Sequence, residues 1–218
     1  MKKAPTVVAH LLKQACIFGI ILLSLNGCGP NALSELNGTL LDPAMDIADY
    51  GFNSADGDFN VSDFQGKHLV LAFGYTYCPD ACPTTMARLN QTIKLIEEDA
   101  DQVQVLLITV DPLRDSLSKL KTYTNTFHTD FIGAAVAPQD SAALFKTLGI
   151  YHERARTSAT DSVSEEGLAE DNATDDYLVD HTTSTIVLDP DGNWRMVWNF
   201  ELKPEEMAAD LKKLIRAQ

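Results

Sequence analysis

Two short apolar runs constrain this chain more than any other feature of it. HLVLAFG (68–74) and VQVLLITV (103–110) are each about one strand long and carry almost nothing that water could solvate, so both must be buried. Between them Met86, Leu89, Ile93 and Ile96 recur on one helical face within residues 83–98. The alternation continues. Leu117, Leu120 and Phe127 mark a helix over 116–127, residues 131–136 a third strand, and residues 140–148 a helix that stops at Gly149. Residues 185–188 and 194–198 flank the turn Asp189-Pro190-Asp191-Gly192 and read as a hairpin. The last helix opens on Pro204, Glu205 and Glu206 and closes on Lys212, Lys213 and Arg216, the charge order that a helix dipole favours. Strand–helix alternation closed by a hairpin and a helix predicts an α/β fold: a central mixed sheet with helices on both faces.

The 218 residues suit one such domain plus a leader. Lys2, Lys3 and Lys13 precede the 11-residue run ACIFGIILLSL (15–25), and no acid occurs before Glu35. This is the form of an export signal, and the run falls well short of the ~20 residues that span a bilayer. It ends at Leu25-Asn26-Gly27-Cys28, which resembles a bacterial lipobox, where the cysteine is diacylated and becomes the new N-terminus. The alternative is an uncleaved anchor starting near Val7, interrupted by His10, Lys13 and Gln14. Either way the domain is expected to be exported and membrane-held, facing the periplasm or another extracytoplasmic space. The expected boundaries are a signal at 1–27, a tether at 28–42 and the folded domain at 43–218.

Loss of residues 1–27 removes three of the 17 basic side chains and none of the 31 acidic ones, leaving 14 against 31, a formal charge of −17. That excludes nucleic acid and an anionic membrane surface as partners, since both need a basic face. Contact with the membrane is expected through lipid alone. Residues 155–176 (ARTSATDSVSEEGLAEDNATDD) hold seven acids, one Arg and almost nothing large and apolar. Such a segment cannot bury enough surface to order itself, and it is expected to be a disordered insertion between two strands.

Of the four cysteines, Cys16 lies in the signal and Cys28 at the lipobox, which leaves one thiol pair, Cys78 and Cys82. In an oxidising compartment such a pair can be a disulfide, a redox couple or a metal site. At four residues apart it closes too small a loop to be a useful staple, so its role is chemical. FGYTYCPDACPTTM (73–86) places Cys78 just after a strand and Cys82 at a helix start, with Pro83 suited to the first helical position. A helix N-terminus lowers a thiol pKa, favouring the thiolate that both redox exchange and metal binding require.

His181, in DYLVDHTTSTIVLDP (176–190), precedes an apolar strand and should sit at one end of the sheet. Two thiolates and an imidazole make a soft, incomplete ligand set. Structural zinc takes four protein ligands. Thiolates favour Cu(I), and the added imidazole lets the same site hold Cu(II). His10 belongs to the signal, and His68, His128 and His152 read as ordinary surface histidines.

GYTYCPDACPTTM (74–86), TVDPLRDS (109–116) and DYLVDHTTSTIVLDP resemble the three signature segments of the Sco/SenC copper chaperones. The resemblance covers residue 50 to the C-terminus, broken by the acidic insertion. It implies a thioredoxin-like fold related to peroxiredoxins, with Cys78, Cys82 and His181 as ligands of one copper ion per chain. It also implies a function, which is to deliver copper to the binuclear copper centre of cytochrome c oxidase subunit II, or to reduce that centre's cysteines. Another exported copper protein could take the same place as partner, and a thiol–disulfide reductant would have to keep Cys78 and Cys82 reduced. Asp111 matches the family's D-P-x-R-D segment, either supporting the site or closing a turn before the next helix. Asp80 either aids partner docking or is a simple loop acid. Tyr77 stands where many members have His, and Ala134-Ala135-Val136 replaces a common Leu-Thr-Gly.

Three readings therefore compete: a metallochaperone, a thiol–disulfide oxidoreductase cycling Cys78 and Cys82 with copper incidental, and a thiol peroxidase. The presence of His181 beside the pair favours the first, since neither of the others requires it. The leader makes its own prediction. Native protein should carry acyl chains on Cys28, and Cys28→Ala should accumulate unprocessed; mass spectrometry showing an unmodified Cys28 at a cleaved N-terminus would dismiss the lipid anchor.

Overall fold

The structure is a computed structural model that describes residues 35–47, 49–155 and 177–217. The chain divides into two compact units, residues 1–35 with 217 and residues 36–216 with 218. The first falls almost wholly outside the described residues, including Cys28, and the fold is that of the second. The expected insertion lies outside them too, apart from Ala155.

The strands are β1 (Thr39–Met45), β2 (Gly51–Ser54), β3 (Gly57–Asn60), β4 (His68–Gly74), β5 (Val103–Thr109), β6 (Ile132–Val136), β7 (His152–Arg154), β8 (Val179–His181), β9 (Thr185–Leu188) and β10 (Trp194–Trp198). The helices are α1 (Ala81–Ile96), α2 (Leu117–Asn125), α3 (Ser141–Thr147) and α4 (Pro204–Arg216). Eight strands form one sheet in the order β1-β10-β9-β4-β5-β6-β2-β3, while β7 and β8 pair only with each other. β4, β5 and β6 run parallel, and the remaining pairings are antiparallel. The expected mixed sheet is present, and its two central strands are the two apolar runs.

Register shows how helices cover both faces. Ala72 pairs with Leu107 and Leu107 with Gly133, so these three share a face with Gly74. A Cβ at Gly133 would lie 2.7 Å from the Leu120 backbone, and one at Gly74 2.7 Å from the Cys82 sulfur, which puts α2 and α1 on this face. α4 packs along α1. The alternate residues Leu69, Leu71 and Phe73 point the other way, into a core with Phe52, Leu106, Ile108 and the α3 residues Leu144 and Phe145. The Phe73 and Phe145 rings meet edge-on at 6.2 Å.

Three expectations need correction. The tether at 28–42 overlaps the domain, because β1 starts at Thr39 and pairs with β10. A buried carboxylate holds its approach: Asp210 accepts the amides of Asn37 (2.8 Å) and Gly38 (2.9 Å), the Asn37 side chain (2.9 Å) and the Trp198 indole N–H (3.0 Å). His68 is no surface residue. It is 2% exposed, its Nδ1 lies 3.3 Å from the Leu188 carbonyl, and burial lowers its pKa against the opposing pull of that carbonyl and Asp189. Helix α1 starts two residues early, at Ala81, so Pro83 is its third residue, still within the turn whose N–H groups lack helical partners. No helix among the described residues is long and apolar enough to cross a membrane.

Asp210→Ala would strand four donors, two of them backbone amides. Its unfolding free energy should fall by about 3 kcal/mol in urea titration. A loss below ~0.5 kcal/mol would show that water satisfies these donors equally well.

Candidate metal centre

The site forms where β4 ends. After Gly74 the chain turns, with the Cys78 amide donating to the Tyr75 carbonyl at 3.2 Å, and α1 begins three residues beyond Cys78. Asp80 occupies the position before the helix, but its side chain makes no capping hydrogen bond. The Cys78 sulfur takes that role, accepting from the Cys82 amide at 3.4 Å. A glycine is required at 74 because Cys82 Sγ fills the space a Cβ would occupy.

His181, the last residue of β8, comes to the same point from 99 residues further along the chain. Its Nε2 lies 3.4 Å from Cys82 Sγ. The donor atoms of Cys78, Cys82 and His181 all lie within 4.8 Å of one another, and they are the one such group of three among the described residues. Sulfur and nitrogen ligands bind at about 2.0–2.3 Å, so donors on opposite sides of one ion stand at most ~4.6 Å apart. Small side-chain rotations therefore suffice to close all three on an ion. Cys82 is buried, while Cys78 and His181 are half-buried and give the site its opening.

His181 Nδ1 lies 2.9 Å from the Thr182 carbonyl. Donation there leaves the Nε2 lone pair facing the sulfurs, the arrangement metal-binding histidines use. Burial works against a charged imidazole, but the hydrogen bond to Cys78, the Thr182 carbonyl and the charges of Cys78 and Asp180 outweigh it and raise the His181 pKa. The two thiols split. The hydrogen bond from Cys82 draws the Cys78 pKa down to about 3 against the effect of burial, helped by His181 and the amides of Cys82 and Asp80. Cys82, as the donor in that bond and buried besides, is pushed far up. The helix-terminus argument thus fails for Cys82, which lies inside the helix, while Cys78 owes its low pKa chiefly to the Cys82 thiol, with backbone amides at the helix start adding to it. A metal held by these three side chains would find one thiolate already formed and would displace the Cys82 proton and any proton on His181 Nε2.

Around these three stands a shell that the sequence showed only in part. Tyr75 is buried, its ring meets His181 edge-on at 5.8 Å, and its hydroxyl accepts the Val179 amide at 3.1 Å. The Asp111 carboxylate accepts from Arg114 Nε at 2.5 Å and from the Tyr177 hydroxyl at 2.7 Å. Its side chain does not cap α2; Ser116 does, accepting from the Lys119 amide. The Asp111 carbonyl closes the preceding turn onto Arg114 and Asp115. Asp115 is buried and accepts from Thr76 and Thr109, tying the Cys78 loop to the end of β5. Asp80 is exposed. Arg114, Asp115 and Tyr177 all lie inside segments singled out in the sequence, TVDPLRDS (109–116) and DYLVDHTTSTIVLDP (176–190), but no role for any of them was legible there.

The model of the SCO1/SenC family matches residues 42–216. The chain belongs to the SCO1/SenC family. It is 28% identical over 158 residues to the mitochondrial SCO2 homolog of Mus musculus, a match covering 72% of this chain and 56% of that protein. The chain thus spans little more than half the length of that curated relative. The apo Sco1 protein of Thermus thermophilus superposes with a TM-score of 0.66 at 28% identity, covering 82% of this chain and 96% of that one. ScoI of Bradyrhizobium japonicum, solved with copper bound, superposes with a TM-score of 0.61 at 28% identity, over 80% and 97% of the two chains. The fold is thioredoxin-like, as the family resemblance implied.

The thiol split is open to direct measurement. Iodoacetamide should label Cys78 at a rate nearly independent of pH above ~4 and leave Cys82 untouched at neutral pH. Cys82→Ala removes the main donor and should raise the Cys78 pKa. A wild-type rate that climbs tenfold between about pH 6 and 7 would show an ordinary thiol at Cys78.

Proposed function

We propose that the chain is an exported copper carrier in which Cys78, Cys82 and His181 hold one ion, as Cu(I) or Cu(II), for transfer to the binuclear copper centre of cytochrome c oxidase subunit II or to another exported copper protein. The observation that carries this reading is the convergence of two sulfurs and one correctly oriented imidazole nitrogen on a half-open point of the surface. Three donors are too few for a closed structural zinc site, and two soft sulfurs suit Cu(I). The copper-bound B. japonicum relative supports the choice of metal. Copper is cargo in this reading, and the protein is no enzyme. Residues 1–27 are its export signal, and Cys28 carries the lipid that keeps the domain at the extracytoplasmic membrane face.

A second reading is favoured by the low pKa of Cys78. A Cys78 thiolate can attack a target disulfide and release one target thiolate. Cys82 then displaces the second, leaving a Cys78–Cys82 disulfide and a target reduced by two electrons. An external dithiol reductant would reset the pair. Both activities can reside in one protein, and His181 separates them.

The reduced protein should bind one copper ion, and Cys78→Ser or Cys82→Ser should each abolish tight binding. His181→Ala should weaken Cu(II) most, by tenfold or more, while the Cys78–Cys82 disulfide still forms and is still reduced. Cells carrying His181→Ala should lose oxidase activity as a deletion strain does, with partial rescue by added copper. Normal oxidase assembly by this variant in copper-limited medium would replace the carrier with the thiol–disulfide reading.

A further inference from the structure

Arg114 takes no part in binding the metal, yet it sits at the centre of the densest group of side chains near the site. Its guanidinium carbon lies 3.5 Å from the Tyr177 ring centroid, 4.8 Å from that of Tyr77 and 5.6 Å from that of Tyr75. Asp111 fixes its Nε and at the same time accepts the Tyr177 hydroxyl. The stack continues at both ends, with Arg154 4.4 Å over Tyr177 and Lys119 5.0 Å over Tyr77.

These residues come from every segment that meets at the metal-binding group. Tyr77 adjoins Cys78, Asp111 and Arg114 follow β5, Arg154 ends β7, and Tyr177 leads into β8. Side chains alternate along a strand, so Val179 and His181 share one face of β8, and Tyr177 stands two residues ahead of it. That strand pairs with β7 and with no strand of the main sheet. Beyond the burial of Val179 in the core, its contacts toward the cysteines are individual pins: Tyr177 on Asp111 and Arg114, the Val179 amide on the Tyr75 hydroxyl, and Tyr75 against the imidazole.

We infer that Arg114, gripped by Asp111 and stacked between Tyr77 and Tyr177, is a positioning residue that holds the His181 strand against the Cys78–Cys82 loop and so fixes how the third ligand meets the metal. The inference rests on the copper reading. It also gives Tyr77 a purpose, since a tyrosine at that position offers a ring for the guanidinium.

The test is a double-mutant cycle on the full-length protein, with Cu(II) as probe and equilibrium affinity together with the thiolate-to-Cu(II) absorption band as readouts. Arg114→Met should lower Cu(II) affinity by about 10–100-fold and shift the band toward that of His181→Ala. In the double variant Arg114→Met/His181→Ala the affinity should equal that of His181→Ala alone, because Arg114 acts through the histidine. Additive losses, or an unchanged band in Arg114→Met, would overturn the inference while leaving copper binding in place. If His181→Ala itself kept wild-type affinity and absorption, the copper reading would fall and the inference with it. Should Arg114→Met fail to fold, Tyr177→Phe keeps the ring and removes the hydroxyl on Asp111. It should show the same loss to a smaller degree, again abolished when His181 is already alanine, and additivity there would be equally fatal.

Discussion

The site is built outward from the close approach of Cys82 Sγ to Gly74, where the missing side chain of a strand residue makes room for a sulfur from the following helix. Because β4 is the central strand, paired with β5 on one side and β9 on the other, the floor under Cys82 cannot shift without disturbing the whole sheet. Cys82 is thus fixed by the fold itself. Cys78, four residues earlier, hangs from the turn after β4 and caps the helix with its sulfur. The same capping bond and the thiol of Cys82 favour its charged form. The packing of Cys82 on Gly74 holds one sulfur rigid, and its hydrogen bond to Cys78 leaves the half-buried sulfur as the ionised one.

The ends of the parallel strands β4 and β5 supply most of the remaining polar groups. The carboxyl edge of parallel strands is where open α/β sheets place their ligands, and here it brings Asp111 and Asp115 beside the Cys78 loop. Both acids are buried, and neither is left without partners: Asp111 takes Arg114 and Tyr177, while Asp115 takes Thr76 and Thr109. Unpaired, such carboxylates beside a thiolate would be costly to ionise. Paired, they act as anchors that join the end of β5 to the Cys78 loop and to the approach of β8.

How much of this the sequence showed follows from which forces are local. The apolar runs became β4 and β5 because a stretch with no polar face can only be interior, and the helix after Cys78 was legible in its apolar spacing, although it runs from Ala81 to Ile96 rather than over 83–98. The third member of the Cys78, Cys82 and His181 group was recognisable from its chemical company. The edge of the sheet was not. β1 contains Asp42 and Pro43, which a central strand excludes but an edge strand tolerates, and its pairing depends on distant residues of β10 and on Asp210. The β2–β3 hairpin carried a usable signal in Asp56-Gly57, with Phe52 opposite Phe59 across the turn. His68 looked like a strand-edge residue by position, but β9 closes over it from more than a hundred residues away. Tyr177 lay in the same segment as His181, but its role was hidden because it meets its partners Asp111 and Arg114 only in the folded chain.

Two kinds of support hold the three side chains of the site. Both sulfurs are mounted on the strand–helix junction of the main sheet, where sheet pairing and core packing hold the backbone. The imidazole is mounted on the end of a two-stranded ribbon, held by the burial of Val179 in the same core, by its short connection to β9 and by neighbouring side chains rather than by a ladder of the main sheet. Pins of this kind can be lost one at a time, whereas the register of a central strand cannot change without inverting its buried face. Of the three side chains that converge here, His181 is the one that no ladder of the main sheet fixes directly.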